Sequence, residues 1–279
     1  MKRFTSFVLV MVIIVCSVFV CVHAEDKSCF YVVLGDSIAY GSGLKNPHEA
    51  CYGKIVADTN GYGYSNHAVP GSTSEELIAQ LDNEAVISDI KKARIISISS
   101  GGNDFLKNNP SDLIFDAALE GNYSGFDDIA ESFYDNLCII TDKINSLNSD
   151  AVILLQTLYN PQTGDLGDLY QYGVDAVNGM IIRYYNENPG EIEIIDVNSA
   201  FGGDLSCIAK DGIHPSAKGN LIIAQAVLNK LVELGYSTVS EPVVNEQGKD
   251  IRGSFSRNLA IRMLTFMVKI LAFLYNAAI

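Results

Sequence analysis

The sequence predicts an α/β fold in which five parallel strands form one sheet covered by helices on both faces. Two observations predict it. Short apolar runs of strand length alternate with segments of helical spacing, the order that parallel crossover units produce. The stretches richest in Gly, Asp, Asn and His follow those runs, where sites form in such sheets. No fixed-period repeat is present.

Taken in order, residues 30–34 (FYVVL) form the first run, followed by a helical stretch over 49–58. Residues 63–68 make a weaker strand, and 74–83 have helical spacing. The β-branched run RIISIS at 94–99 is the third strand. Phe126, Ile129, Phe133, Leu137, Ile140, Ile144 and Leu147 then recur at intervals of three and four, one face of a long helix. AVILLQ at 151–156 and EIEIIDV at 191–197 are the last two strands, separated by a helix around 169–185. A strong helix over 217–234 closes the domain.

The ends have a different character. Lys2 and Arg3 precede an apolar run from 7 to 22, and Val22-His23-Ala24 offers a cleavage site, so 1–24 reads as a secretory signal. An uncleaved membrane anchor is the alternative; Cys21 follows Val20, too bulky for the usual lipidation site. After the domain at 25–236, a polar stretch over 237–258 with Pro242 and Gly248 reads as a linker. The tail 259–279 is an apolar helix with Arg262, Thr265, Lys269 and Asn276 close to one stripe. Such a helix suits a membrane surface. Docking on the domain and crossing a bilayer are the other readings. The expected location is secreted or extracytoplasmic, with membrane association through the tail.

Export bears on the cysteines. Cys29, Cys51, Cys138 and Cys207 remain after cleavage and allow three pairings. Cys29 and Cys51 flank the first strand and its loop and are the favoured pair; four thiols are the alternative. With 33 acidic against 19 basic residues and a formal charge of −14, the chain lacks the basic surface that nucleic acid requires. No metal or organic cofactor is implied, and the acidic stretch 165–168 reads as a solvated turn rather than a calcium site.

Four blocks carry the chemistry. They are Gly35-Asp36-Ser37, then Asn66 to Gly71 (NHAVPG), then Gly101-Gly102-Asn103-Asp104, then Asp211 to Pro215 (DGIHP). Serine is a poor nucleophile until a base takes its proton. Of His48, His67 and His214, only His214 has an acid three residues earlier, close enough to fix its tautomer. Pro215 biases His214 away from helical backbone, so its ring can project from a loop. Pro70-Gly71 suits a type II turn with positive φ at the glycine. Asp36 and Asp104 read as acids that fix loops.

In order and placement, these blocks resemble the GDSL, or SGNH, family of serine esterases and lipases, over residues 30 to about 236. The resemblance implies a three-layer α/β/α sandwich of flavodoxin-like type, with Ser37 as nucleophile and Asp211 and His214 completing a triad. It also implies an oxyanion hole from the Ser37 and Gly71 amides and the Asn103 side chain. The first block departs from the family in reading GDSIAYG, which touches only the packing of Ile38. Family members act on lipids, acetylated sugars, thioesters and short acyl esters. The expected function is therefore hydrolysis of carboxylic esters through an acyl-serine. O-deacetylation of carbohydrate, acyl transfer to an alcohol, and a non-catalytic surface binder on the same scaffold are the alternatives. Activity is expected to fall as pH drops through about 6 to 7, where an ordinary histidine protonates.

Overall fold

A computed structural model describes residues 29–108 and 110–243. The expected signal and the C-terminal helix lie outside these residues. The chain enters as β1 (Phe30–Gly35), then forms three short helices, α1 (Ser37–Tyr40), α2 (Pro47–Ala50) and α3 (Tyr52–Asn60), before β2 (Gly63–Asn66). Helices α4 (Ser74–Gln80) and α5 (Glu84–Lys92) lead to β3 (Ile95–Ser99). Then come α6 (Gly102–Lys107), α7 (Pro110–Phe115), a π-helical turn at Asp116–Glu120 and the long α8 (Ser124–Leu147). The rest is β4 (Val152–Gln156), α9 (Gly164–Glu187), β5 (Glu193–Ile195), α10 (Val197–Phe201), a 3₁₀ turn at Leu205–Cys207 and α11 (Ala217–Glu233).

All neighbouring strands pair in parallel, in the order β2-β1-β3-β4-β5. Side chains on a strand alternate between faces, and the two cores follow that alternation. Val32, Leu34, Ile96 and Ile98 pack under α4, α5, α8 and α9, through Leu77, Ile90, Phe133, Leu137 and Val177. Tyr31, Val33, Ile95 and Leu154 face α3 and α11, through Tyr52, Val56, Ile223, Val227 and Leu231. The result is the expected three-layer sandwich. Because β1 leads outward to β2 while β3 lies on its other side, the strand order reverses between β1 and β3. A crevice opens at such a point beyond the strands' carboxyl ends.

Several boundaries differ from the sequence reading. The helix expected over 49–58 is broken at Cys51, whose backbone is extended (φ −67°, ψ 154°). Helix α5 had not been anticipated, although Asn83 caps it by accepting from the Ala85 amide at 2.8 Å. The acidic stretch 165–168 is the start of α9, not a turn. Residues 237–243 remain against α3: the Ser237 hydroxyl donates to Asn60 Oδ1 at 2.5 Å, and the Val243 amide to Thr59 Oγ1 at 2.9 Å.

The Cys29–Cys51 bridge does not form. Cys29 precedes β1, at the amino end of the sheet. Cys51 Sγ lies 3.7 Å from the Asn66 amide nitrogen, at the carboxyl end of β2. Asn66 lies opposite Val33 in the β1–β2 register, four residues beyond Cys29; that is about 13 Å, well beyond the roughly 6 Å between Cα atoms that a disulfide bridges. Cys51, Cys138 and Cys207 are thiols.

Candidate active site

Ser37 is placed by a turn that requires glycine at 35 and an acceptor side chain at 36. Gly35 ends β1 at φ +115°, and a Cβ there would lie 1.9 Å from the Ser99 carbonyl oxygen of β3. The chain therefore leaves the sheet touching β3, with the Asp36 amide donating to that same oxygen at 3.1 Å. Asp36 Oδ1 accepts from the Ile38 amide at 2.9 Å and from the Ser99 hydroxyl at 2.6 Å, capping α1. Burial pushes the Asp36 carboxyl up to about 6, against the opposing pull of those two hydrogen bonds. Ser37 is the first residue of α1, a single turn that ends at Gly41 with φ +89°.

The loop before α11 presents His214. Its Nδ1 lies 2.7 Å from Asp211 Oδ2, while Asp211 Oδ1 accepts from the Ile213 and His214 amides at 3.0 Å each. Burial alone would raise the Asp211 carboxyl, but these hydrogen bonds outweigh it and hold it down at about 2. An ionised carboxylate only accepts, so Nδ1 carries the ring proton and Nε2 is left as a base. This block does not follow β5 directly; α10 and the 3₁₀ turn intervene. The Ala209 amide donates to the His214 carbonyl at 2.7 Å, and the Ser216 amide to Cys207 at 2.7 Å, closing the loop into a hairpin. The loop after α1 passes directly beneath: a Cβ on Gly43, at φ +97°, would lie 3.0 Å from His214 Cβ.

Gly71 occupies the expected turn, with φ +85° and the Ser72 amide donating to the Val69 carbonyl at 3.0 Å. The Asn103 side-chain amide donates to the Ser72 carbonyl at 3.0 Å, which joins the second block to the third and leaves its other N–H available. Ser37, Asn103 and Ile213 line one cavity, while Gly71 lines an adjacent open groove with Ser72. Asp104 fixes a loop as expected, accepting from the Ser74 amide at 3.1 Å and from the Ser74 hydroxyl. The other two histidines are engaged elsewhere. His48 lies 3.5 Å from the Tyr40 hydroxyl, and His67 pairs at 2.7 Å with Asp89, which Lys92 also engages at 2.7 Å. Among the described residues, no cluster of three His, Cys, Asp or Glu is placed to hold a metal.

The loop after β4 contributes residues that sequence reasoning missed. The half-buried Tyr159 donates its hydroxyl to the Ile213 carbonyl at 2.7 Å, and Gln162 Nε2 donates to the Gly212 carbonyl at 2.8 Å. Both brace the His214 loop from the opposite wall. The available signal is positional: 157–163 follows a strand's carboxyl end, where sites form in such sheets. The cavity shared by Ser37 and Asn103 has a volume of about 220 Å³ and walls that are mainly apolar.

A family model described as GDSL-like lipase/acylhydrolase matches residues 33–222, two thirds of the chain. The chain belongs to that family. Spore germination lipase LipC of Bacillus licheniformis is 26% identical over 226 residues, covering 74% of this chain and 96% of its own. The Bacillus subtilis protein YpmR is 25% identical over 230 residues, covering 76% of this chain and 86% of its own. Among solved structures, a lipase from a goat-rumen metagenome superposes with a TM-score of 0.63 at 23% identity, over 75% of this chain and 99% of that one. Phospholipase A1 from Streptomyces albidoflavus gives 0.55 at 18% identity, over 73% and 99%. At these identities the structural likeness establishes the fold, which is that of the family's lipases.

Proposed function

We propose that this GDSL-family chain is an exported serine hydrolase that cleaves carboxylic esters through an acyl-serine intermediate. The observation that carries the reading is the Asp211–His214 pair, 2.7 Å apart, at the same end of the sheet as Ser37 and Asn103. His214 Nε2 takes the Ser37 hydroxyl proton as Oγ attacks the ester carbonyl, and Asp211 stabilises the imidazolium that forms. The negative charge developing on the carbonyl oxygen is met by the Ser37 and Gly71 amides and by the free N–H of Asn103. Collapse of that adduct expels the alcohol, which takes the proton from His214. Water, activated by the same imidazole, then releases the acid and restores Ser37.

The mainly apolar cavity beside Ser37 favours a lipid or other acyl ester over an acetylated sugar, whose hydroxyls would find few partners there. The names of LipC, a spore germination lipase, and of the phospholipase A1 point the same way. Export rests on the apolar leader at 1–24 and surface attachment on the tail at 259–279. Ser37→Ala should lower ester turnover by at least about 1,000-fold with an unchanged circular dichroism spectrum. It should also abolish labelling by a fluorophosphonate. A folded Ser37→Ala protein that keeps most of its activity would remove the assignment.

A further inference from the structure

The cavity beside Ser37 carries information about the acid half of the ester. Its charged lining is confined to Asp36, next to Ser37 itself, and Asn103 also lies at that end. Away from Ser37 the walls come from α6, α7, α8 and α9, through Phe105, Ile114, Phe126, Leu169 and Val174. Most of these belong to a small apolar cluster separate from the two main cores. An apolar cavity of about 150 Å³ accommodates a six-carbon ring. The 220 Å³ here therefore corresponds to about eight or nine carbons.

Two residues of the lining, Gly173 and Phe126, pack against each other. Gly173 lies inside α9 and is buried, where a glycine costs helix stability relative to alanine. A Cβ at that position would stand 3.2 Å from Phe126 Cδ1 and 3.6 Å from Phe105 Cε2. The ring it faces is held from behind: Phe126 packs edge-on against Tyr172 at 5.7 Å, and Tyr172 stacks on Tyr123 at 4.3 Å. Gly173 thus lets the Phe126 and Phe105 rings close directly on α9, and a larger side chain there would push the braced Phe126 ring into the cavity.

Building on the hydrolase reading above, we infer that the enzyme selects an unbranched aliphatic acyl chain of about eight carbons, and that Gly173 and Phe126 set that length. The chain enters at Ser37 with its carbonyl at Asn103 and runs between α6 and α9 until it meets the Phe126 ring. The alcohol half of the ester stays outside the cavity, so selection acts on the acid.

The test is kcat/KM for p-nitrophenyl esters from acetyl to hexadecanoyl. Each methylene buried in an apolar site should raise kcat/KM about threefold to fourfold, giving at least a 100-fold rise from acetyl to octanoyl and a fall beyond decanoyl. Gly173→Leu should lower the octanoyl-to-acetyl ratio at least tenfold, and Phe126→Leu should move the optimum to longer chains. The wild-type profile stands by itself should either variant fail to fold. A flat profile, or one falling from acetyl onward, overturns the inference while leaving the hydrolase reading intact. As a separate arm, octanoate but not acetate should raise the Tm of Ser37→Ala protein. That result supports the cavity's selectivity even if no ester is turned over, and its absence counts against it.

Discussion

Asp36 and Asp211 are both partly or fully buried acids within the same site, yet their surroundings push them in opposite directions. Asp211 accepts three hydrogen bonds and is held at about 2, below the ordinary carboxylate range, so its contribution to stability is present above about pH 4 and is lost as pH falls toward 2. Asp36 is 3% exposed, and burial raises it to about 6. The folded state therefore binds its proton more tightly than the unfolded chain, and stability drains away as pH rises from about 4 to about 6. Asparagine keeps both of the acceptor contacts that Asp36 makes, to the Ile38 amide and the Ser99 hydroxyl, and cannot ionise. Asp36→Asn should therefore gain on wild type between pH 4 and pH 6.5, by up to about 3 kcal/mol, in urea midpoints measured across that range. A constant difference between the two proteins would mean that Asp36 titrates normally.

At the scale of elements, the site is a set of loops held against one another, and the brace from the loop after β4 is open to direct test. Tyr159→Phe leaves the Ile213 carbonyl without that donor, at a cost of about 1–3 kcal/mol. It should lower kcat about tenfold while KM changes little, because the hydroxyl holds the His214 loop rather than the substrate. Gln162→Ala should act similarly through Gly212, and the double variant should fall short of the product of the two effects, since both side chains brace one loop. What was legible in the sequence divides along the same line. The Asp211–His214 pairing and the Gly71 turn follow from spacings of one to three residues, and five strand runs sufficed for the sheet. Tyr159 and Gln162 reach backbone carbonyls more than fifty residues downstream in one case and fifty in the other, acceptors that every residue type shares. Helix α5 carried local signs, with Val86 and Ile90 buried four apart and Lys91 and Lys92 in its last turn, but its length of nine residues lies between strand and helix expectations. The break at Cys51 follows from packing: its side chain is fully buried, and a Cβ on Gly41 would come 2.7 Å from its own.

At the scale of the whole molecule, the boundary of the folded unit and the charge of the chain meet in one prediction. The sequence suggested an end near 236, yet the Tyr236 carbonyl accepts from the Tyr62 hydroxyl at 2.5 Å, and the chain continues along α3 until the Val243 amide meets Thr59. A chain ending at 243 keeps these contacts; one ending at 236 loses the Ser237–Asn60 and Val243–Thr59 bonds and should be less stable by about 1–2 kcal/mol. The full sequence is strongly acidic, at −14, whereas from Lys249 onward it has five basic residues and one acid. An acidic body is repelled by an anionic lipid surface, so any attraction must come from the terminal segment, through its basic groups and the apolar residues beside them. The 25–243 protein should thus hydrolyse soluble esters at the rate of the 25–279 protein but fail to sediment with phosphatidylglycerol vesicles. Binding of the longer protein should weaken as salt rises toward 0.5 M, because screening removes the charge component and leaves the apolar one. Equal sedimentation of the two proteins would place the lipid contact on the catalytic domain instead, with the exposed Val69 and Leu106 at the rims of the groove and the cavity as the first residues to change.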